Sequence, residues 1–293
     1  MMGKVRCLVL ASGLFVPLAA SGQGLSTSAI DQALGRSGQK AGEVYRVGFP
    51  RTDLHVTVQG VRVKAGLALG SWAAFAGTDE NASVMGDLVL LDSEVNPVME
   101  KLRSSGFEIT AVHNHLLGET PHVMYMHYMG HGGAAQIAGS LRAALAASKT
   151  PLEKPAAPGP EPASPPEWVK TVNETIGRQG TVRGGVLSFG LARSEAITEG
   201  GMTLTSPQGV AESINFQETE AGKVATTGDF VLTAEEVNPV ISALEEHHIL
   251  ITALHSHLLK EQPRLFFMHF WAHGLSASVA EGIKAALSHI AIK

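Results

Sequence analysis

The sequence predicts an α+β protein built by internal duplication, each half a mostly antiparallel or mixed sheet with helices packed on one face. Three observations predict it. The chain repeats itself at a constant offset. A proline-rich stretch separates the two copies. Each copy runs through several short apolar segments, a helix, two further strands and a last helix.

The offset is 142 residues. Gly35-Arg36-Ser37-Gly38 returns as Gly177-Arg178-Gln179-Gly180, and Gly86-Asp87-Leu88-Val89-Leu90 as Gly228-Asp229-Phe230-Val231-Leu232. Glu94-Val95-Asn96-Pro97-Val98 recurs unchanged over 236–240, and the offset drifts by one only near Phe75 and Phe216. A unit of roughly 120 residues is one ordinary domain, far longer than a solenoid repeat. The expected organisation is a signal segment over 1–22, a first unit over 26–148, a linker over 149–167 and a second unit over 168–293.

In the first unit, Ser26 to Gly38 reads as a short helix ended by glycine. Val44 to Phe49, Leu54 to Val58, Leu67 to Phe75 and Val84 to Leu91 are apolar runs set off by Gly, Pro and Asp, and read as strands. Asn96-Pro97 resembles a helix cap followed by proline at the first helical position, in a helix reaching Gly106. In the second unit Thr233-x-x-Glu236 offers a capping box slightly earlier. Phe107 to Leu117 and His122 to Met129 read as two strands, and Gly132 to Ala147 as an amphipathic helix with Ile137, Leu141 and Leu145 on one side. Lys149 to Glu167 holds seven of the fourteen prolines, which lack the amide donor, so it reads as an extended linker.

Lys4 and Arg6, then an apolar run from Leu8 to Ala20 ending in small residues, have the layout of a secretory signal peptide. The protein is therefore expected to be exported, periplasmic or secreted, with no transmembrane segment after removal of the signal. Ser21 stands where a lipoprotein would need cysteine. The single cysteine, Cys7, lies inside the signal, so a metal site in the mature chain must use imidazole, carboxylate or thioether. A net charge of -5 leaves no basic footprint for nucleic acid, and 44% hydrophobic with 17% charged residues favours a well-packed protein over disorder.

Eight of the thirteen histidines form two matching clusters: His113, His115, His127 and His131, then His255, His257, His269 and His273. Imidazole is the commonest protein metal ligand and the usual acid or base near neutral pH. On a strand His113 and His115 share one face. If Leu117 to Pro121 turns the chain, His113 falls opposite Tyr125 and His115 opposite Val123, with His127 diagonal to His113 at roughly 7 Å. His131 would then close the site from the start of the next helix. Glu119 and Glu261, in the connections, are candidate ligands or general acid/base groups.

Zinc and copper both suit this set. Alternation puts Met124 and Met126 on the face opposite His127, and Met129, though on the histidine face, is matched by Trp271, so copper gains little from thioethers. Arg51 with Asp53 matches Arg193 with Glu195 and reads as a structural ion pair or a turn. Asp87 and Asp229 follow a repeated glycine and read as turn residues. The chain has no nucleophile elbow, P-loop, H-E-x-x-H or dinucleotide fingerprint.

The paired His-x-His-Leu-Leu…Glu-x-Pro…Met-His…His-Gly segments, with Gly-Ser-Trp-Ala-Ala-Phe over 70–75, resemble the LppY/LpqO family of exported bacterial proteins over most of the chain from Ser28 to Ile290. The resemblance implies export and carries no catalytic assignment; several members are lipoproteins, and this chain lacks the lipidation cysteine. The expected function is binding of a divalent transition metal, zinc or copper, through the two clusters. The alternatives are a metal-dependent hydrolase with Glu119 or Glu261 as acid/base, and a metal-free module binding a small polar ligand. Whether the clusters form two sites or one is left open by the sequence.

Overall fold

The computed structural model describes residues 24–153 and 164–293. The expected signal segment, with Cys7, and the middle of the expected linker lie outside the described residues. Among the described residues no helix is long and apolar enough to cross a membrane.

The first half comprises α1 (Thr27–Leu34), β1 (Gln39–Ala41), β2 (Val44–Pro50), β3 (Thr57–Val58), β4 (Val61–Arg62), α2 (Ala65–Ala68), β5 (Gly70–Gly77), β6 (Ala82–Leu91), α3 (Asp92–Ser104), β7 (Glu108–His113), β8 (Val123–Gly132) and α4 (Ala134–Leu145). The second comprises α5 (Glu167–Ile176), β9 (Thr181–Arg183), β10 (Val186–Ala192), β11 (Ile197–Glu199), β12 (Met202–Leu204), β13 (Ala211–Glu220), β14 (Lys223–Leu232), α6 (Ala234–Glu246), β15 (Leu250–His255), β16 (Glu261–Gln262), β17 (Phe266–Leu275) and α7 (Ser276–Leu287). Each half is an α+β unit on a six-stranded antiparallel sheet, ordered β1-β2-β5-β6-β8-β7 and, equivalently, β9-β10-β13-β14-β17-β15.

Strand alternation divides each sheet into two faces. On the outer face of the first half, Val84, Leu88, Leu90, Met126 and Tyr128 join Leu34, Leu102 and Leu141 of α1, α3 and α4 in one core. The second half repeats this with Phe230, Leu232, Met268 and Phe270 under α5, α6 and α7. The inner faces are turned on each other. Val56, Leu67, Val89, Val123 and Tyr125 of the first half meet Val186, Ala225 and Trp271 of the second in one apolar cluster. Met85 and Met129 meet Ile197, Leu204, Val210, Leu258 and Phe267 in another. Each half thus lends its loop before β5 or β13 to cover the other's sheet. Lys64 N–H donates to Gln217 Oε1 at 2.8 Å, and Gln217 Nε2 donates to the Arg62 carbonyl at 2.7 Å across the seam.

Several expected elements are corrected. Of the run Leu54 to Val58 only its last two residues form strand, and Leu67 lies in the short helix α2 before β5. Asn96-Pro97 does not start a helix: α3 begins at Asp92, with Pro97 inside it. Glu94 causes the early start, because its carboxylate accepts the Leu91 N–H at 2.9 Å. The second half does the same with Thr233 and Glu236, as its capping box predicts.

Glu94 is itself held by the fully buried Arg51, which also binds Asp53 and donates to the Val89 carbonyl. Burial alone would raise the Glu94 carboxyl, but Arg51 and the Leu91 and Lys149 amides hold it below its ordinary value. Arg193 repeats the network with Glu195 and Glu236. The repeated Arg and Glu-Val-Asn-Pro-Val motifs therefore tie β2 to α3 and β10 to α6.

Candidate metal centre

The two histidine clusters meet. His113 ends β7 and His255 ends β15, the edge strands, while His127 and His269 stand mid-strand on the inner faces of β8 and β17. A bulge in each edge strand, between Ile109 and Ala111 and between Ile251 and Ala253, sets the final register. His113 then pairs with Tyr125 and His255 with Phe267, the register expected from the turn. His115 lies beyond the strand end, where its ring stacks on Tyr125 with centroids 3.4 Å apart; His257 stacks on Phe267 at 3.7 Å.

Across the seam the rings pair by pseudo-twofold symmetry. His113 faces His255 at 3.6 Å between centroids. His115 faces His269 at 3.6 Å, and His127 faces His257 at 3.7 Å, each pair being the symmetry mate of the other. Three groups of ligand atoms lie within 4.8 Å of one another: His113, His255, His257 and His269; His113, His115, His127 and His257; and His115, Asp229, His257 and His269. Every group draws on both halves, so the six imidazoles form one cluster.

Burial lowers the imidazoles of His115 and His257 well below the ordinary value, with neighbouring histidines adding to it. His113 shifts the same way, while His127 falls to about 3 and His255 to about 4, again mainly by burial. These rings are neutral at neutral pH, the state in which imidazole ligates. The Nε2 atoms of all six are buried without a hydrogen-bond partner.

The structure places His131 and His273 elsewhere. β8 and β17 continue past the expected strand end, so these two residues pair with Ser83 and Ala225 at the far end of the sheets and are exposed. His273 Nε2 lies 2.9 Å from Thr219 Oγ1. The expectation that His131 closes the cluster from the helix start is therefore corrected.

Glu119 and Glu261 are also placed apart from it. They are buried in the β7–β8 and β15–β17 connections, where Glu119 accepts the Val123 N–H at 3.4 Å and Glu261 the Leu265 N–H at 3.2 Å. Arg264 pairs with Glu261 at 3.0 Å. Neither glutamate belongs to any of the three ligand groups.

Two carboxylates that read as turn residues in the sequence stand here instead. Asp87 and Asp229 lie inside β6 and β14, opposite His127 and His269. Asp229 Oδ1 is 2.8 Å from His269 Nδ1, and Asp87 Oδ1 is 3.8 Å from His127 Nε2. Burial and the Asp229 charge raise the Asp87 carboxyl well above its ordinary value, whereas His269 holds Asp229 low against the same burial. The preceding glycines have a steric reason: a Cβ at Gly86 or Gly228 would collide with the carbonyl oxygen of Trp72 or Ser213 on the neighbouring strand. The signal that could have found these aspartates was the 142-residue repeat itself, combined with an antiparallel pairing of β6 with β8.

A cleft opens onto the cluster between the halves. One lobe of about 250 Å³ reaches His115, and a second of about 390 Å³ reaches His127 and His257; both are lined by Arg46, Trp72, Asp87, Ser213 and Asp229.

The family model described as Domain of Unknown Function (DUF1259) matches the chain twice, over residues 28–147 and 170–289. No curated protein matches. Among solved structures, a trimeric bacterial microcompartment shell protein, PduB, aligns over 86% of this chain and 89% of its own, at 10% identity and a TM-score of 0.24.

Proposed function

For a chain that belongs to the family described as Domain of Unknown Function (DUF1259) through both its halves, we propose one divalent transition-metal centre shared between the halves, with zinc or copper as the ion. The six buried, unpartnered imidazole nitrogens carry the reading. A buried polar atom left unpaired costs roughly 1–3 kcal/mol, and such atoms are normally satisfied. They fall into overlapping groups within ligand-sharing distance, and one cation in either all-histidine group would satisfy four of the six. The donor chemistry agrees: imidazole with a carboxylate in reach suits zinc and copper(II), and no thioether belongs to the three groups. The two all-histidine groups share His113 and His257, so they cannot both be filled at once. The reading therefore expects one equivalent of metal per chain. Export, expected from the N-terminal sequence, would place this centre outside the cytoplasm.

Elemental analysis of untagged native protein, followed by titration of chelator-treated protein with Zn²⁺ and with Cu²⁺, tests the proposal. One equivalent that is lost in His113→Ala/His257→Ala supports it. No uptake, or uptake unchanged in that variant, sinks it.

The cleft favours a second reading, a metal-dependent hydrolase. Its base would be Asp87 or Asp229, which line the cleft, and not Glu119 or Glu261. Turnover of nitrophenyl esters or phosphates by the loaded protein, lost in Asp229→Asn, would support this reading; inactivity toward both would leave metal binding as the function.

A further inference from the structure

The cleft is asymmetric where the cluster is symmetric. Arg46 and Trp72 of the first half correspond, in strand register, to Ser188 and Ser213 of the second. The first half thus brings a guanidinium and an indole to the cleft, and the second half lines it with Ser213, Thr227 and Glu212. The Arg46 guanidinium lies over the Trp72 ring, 3.9 Å from its centroid, and one of its amino groups donates to the Pro207 carbonyl at 2.6 Å. These contacts fix the side chain without neutralising it. Among the described residues no carboxylate lies within 4.0 Å of Arg46, whereas Arg51 has two and Arg193 three. Burial lowers Arg46 only to about 10, so it is charged at neutral pH.

A positioned, unpaired arginine in a cleft is the recognition element for a planar or tetrahedral oxyanion. Thr227 lines the same cleft, 2% exposed, and its Oγ1 has no partner. Asp87 and Asp229 line the same cleft; the Asp229 carboxylate, held low, repels an anionic group, but both side chains have oxygens that accept hydrogen bonds from hydroxyls. The cleft volume fits a ligand of a few heavy atoms.

We propose that this cleft binds a small hydroxylated oxyanion, with its carboxylate or phosphate on Arg46 and its hydroxyls toward Asp87 and Asp229. The inference goes beyond the metal reading and does not depend on it, since Arg46 and Trp72 belong to none of the ligand groups.

Calorimetric titration with gluconate and, separately, with glycerol 3-phosphate, at constant ionic strength, tests it on both chelator-treated and metal-loaded protein. Saturable binding of at least one is expected, and the arm that binds identifies the anionic group. Arg46→Gln should weaken it at least roughly tenfold with metal uptake unchanged, and Arg46→Lys should restore part of it, because lysine keeps the charge but not the fork. Ser213→Glu, which leaves Arg46 in place and adds a like charge to the opposite wall, should abolish it. Binding of neither compound overturns the proposal, as does binding indifferent to Arg46→Gln or, should that variant not fold, to Ser213→Glu. Anion binding in a protein that takes up no metal would overturn the metal reading alone.

Discussion

The two halves share a sheet order, a histidine set, an Asp opposite the central histidine and a buried arginine network, yet they differ around the cleft. Arg46 and Trp72 correspond to Ser188 and Ser213. Ser71, whose hydroxyl accepts the Val89 N–H, is replaced by Glu212, which accepts the Val231 N–H. Tyr125 and Met129 correspond to Phe267 and Trp271. What is kept holds each sheet and builds the cluster; of what differs, Arg46, Trp72, Ser213 and Glu212 line the cleft, and the aromatic and methionine exchanges lie in the apolar seam. A ligand on the pseudo-twofold axis meets a symmetric floor and asymmetric walls.

The largest effects should come from the shared scaffold. Arg51→Ala strands Glu94 and Asp53 without their cation, and breaking a buried pair in this way costs about 3–5 kcal/mol. Arg193→Ala also uncovers Glu212, a fully buried side chain that burial already pushes toward the neutral acid. Urea unfolding of both variants would show whether the third carboxylate makes the second half the more sensitive; equal losses would mean that Glu212 adds nothing.

Next comes the symmetry of the cluster. If both halves contribute to one ion, His257→Ala should weaken metal affinity more than the roughly 10–100-fold typical of outer-shell changes. His113→Ala, from the other half, should do likewise. Two separate affinities, each abolished by one half's variant alone, would instead show independent sites.

Acid should loosen the cluster in metal-free protein. Five imidazoles have folded-state values below the ordinary 6.5, with His255 at about 4 and His127 at about 3. The unfolded chain then binds more protons, so their contribution is complete above about pH 6.5 and is lost progressively toward pH 3–4. Asp87 and Glu212, raised by burial, work in the opposite direction but are two groups against five. Thermal melts from pH 7 to pH 4 should fall steeply, and a flat profile would contradict neutral burial of these rings.

The smallest effect should be at His131→Ala and His273→Ala, exposed at the far strand ends: within about 0.5 kcal/mol in stability, with metal content unchanged. Loss of metal in either would return them to the site.

Much of each unit is legible in the sequence because it is local. Alternation puts Met126 in the outer core and His127 on the inner face. The turn length pairs His113 with Tyr125, and Thr233 with Glu236 caps α6. Local pattern fails where a distant partner decides. Asn96-Pro97 looks like a cap until Arg51, 43 residues earlier, anchors Glu94 and starts the helix sooner. Asp87 looks like a turn residue until β8 lies beside β6.

By itself, then, the amino-acid order determined the duplication, the α+β class and the inward face of His127 and His269, because offsets and period-two alternation are written along one strand. Only the tertiary structure decided that eight candidate histidines become one cluster of six, with two aspartates beside it. Docking of the inner faces rests on apolar clusters that bring together Tyr125 and Trp271 in one and Met129 and Phe267 in the other. Those partners are more than a hundred residues apart, and burial of their combined surface, which no local pattern records, brings the imidazoles together.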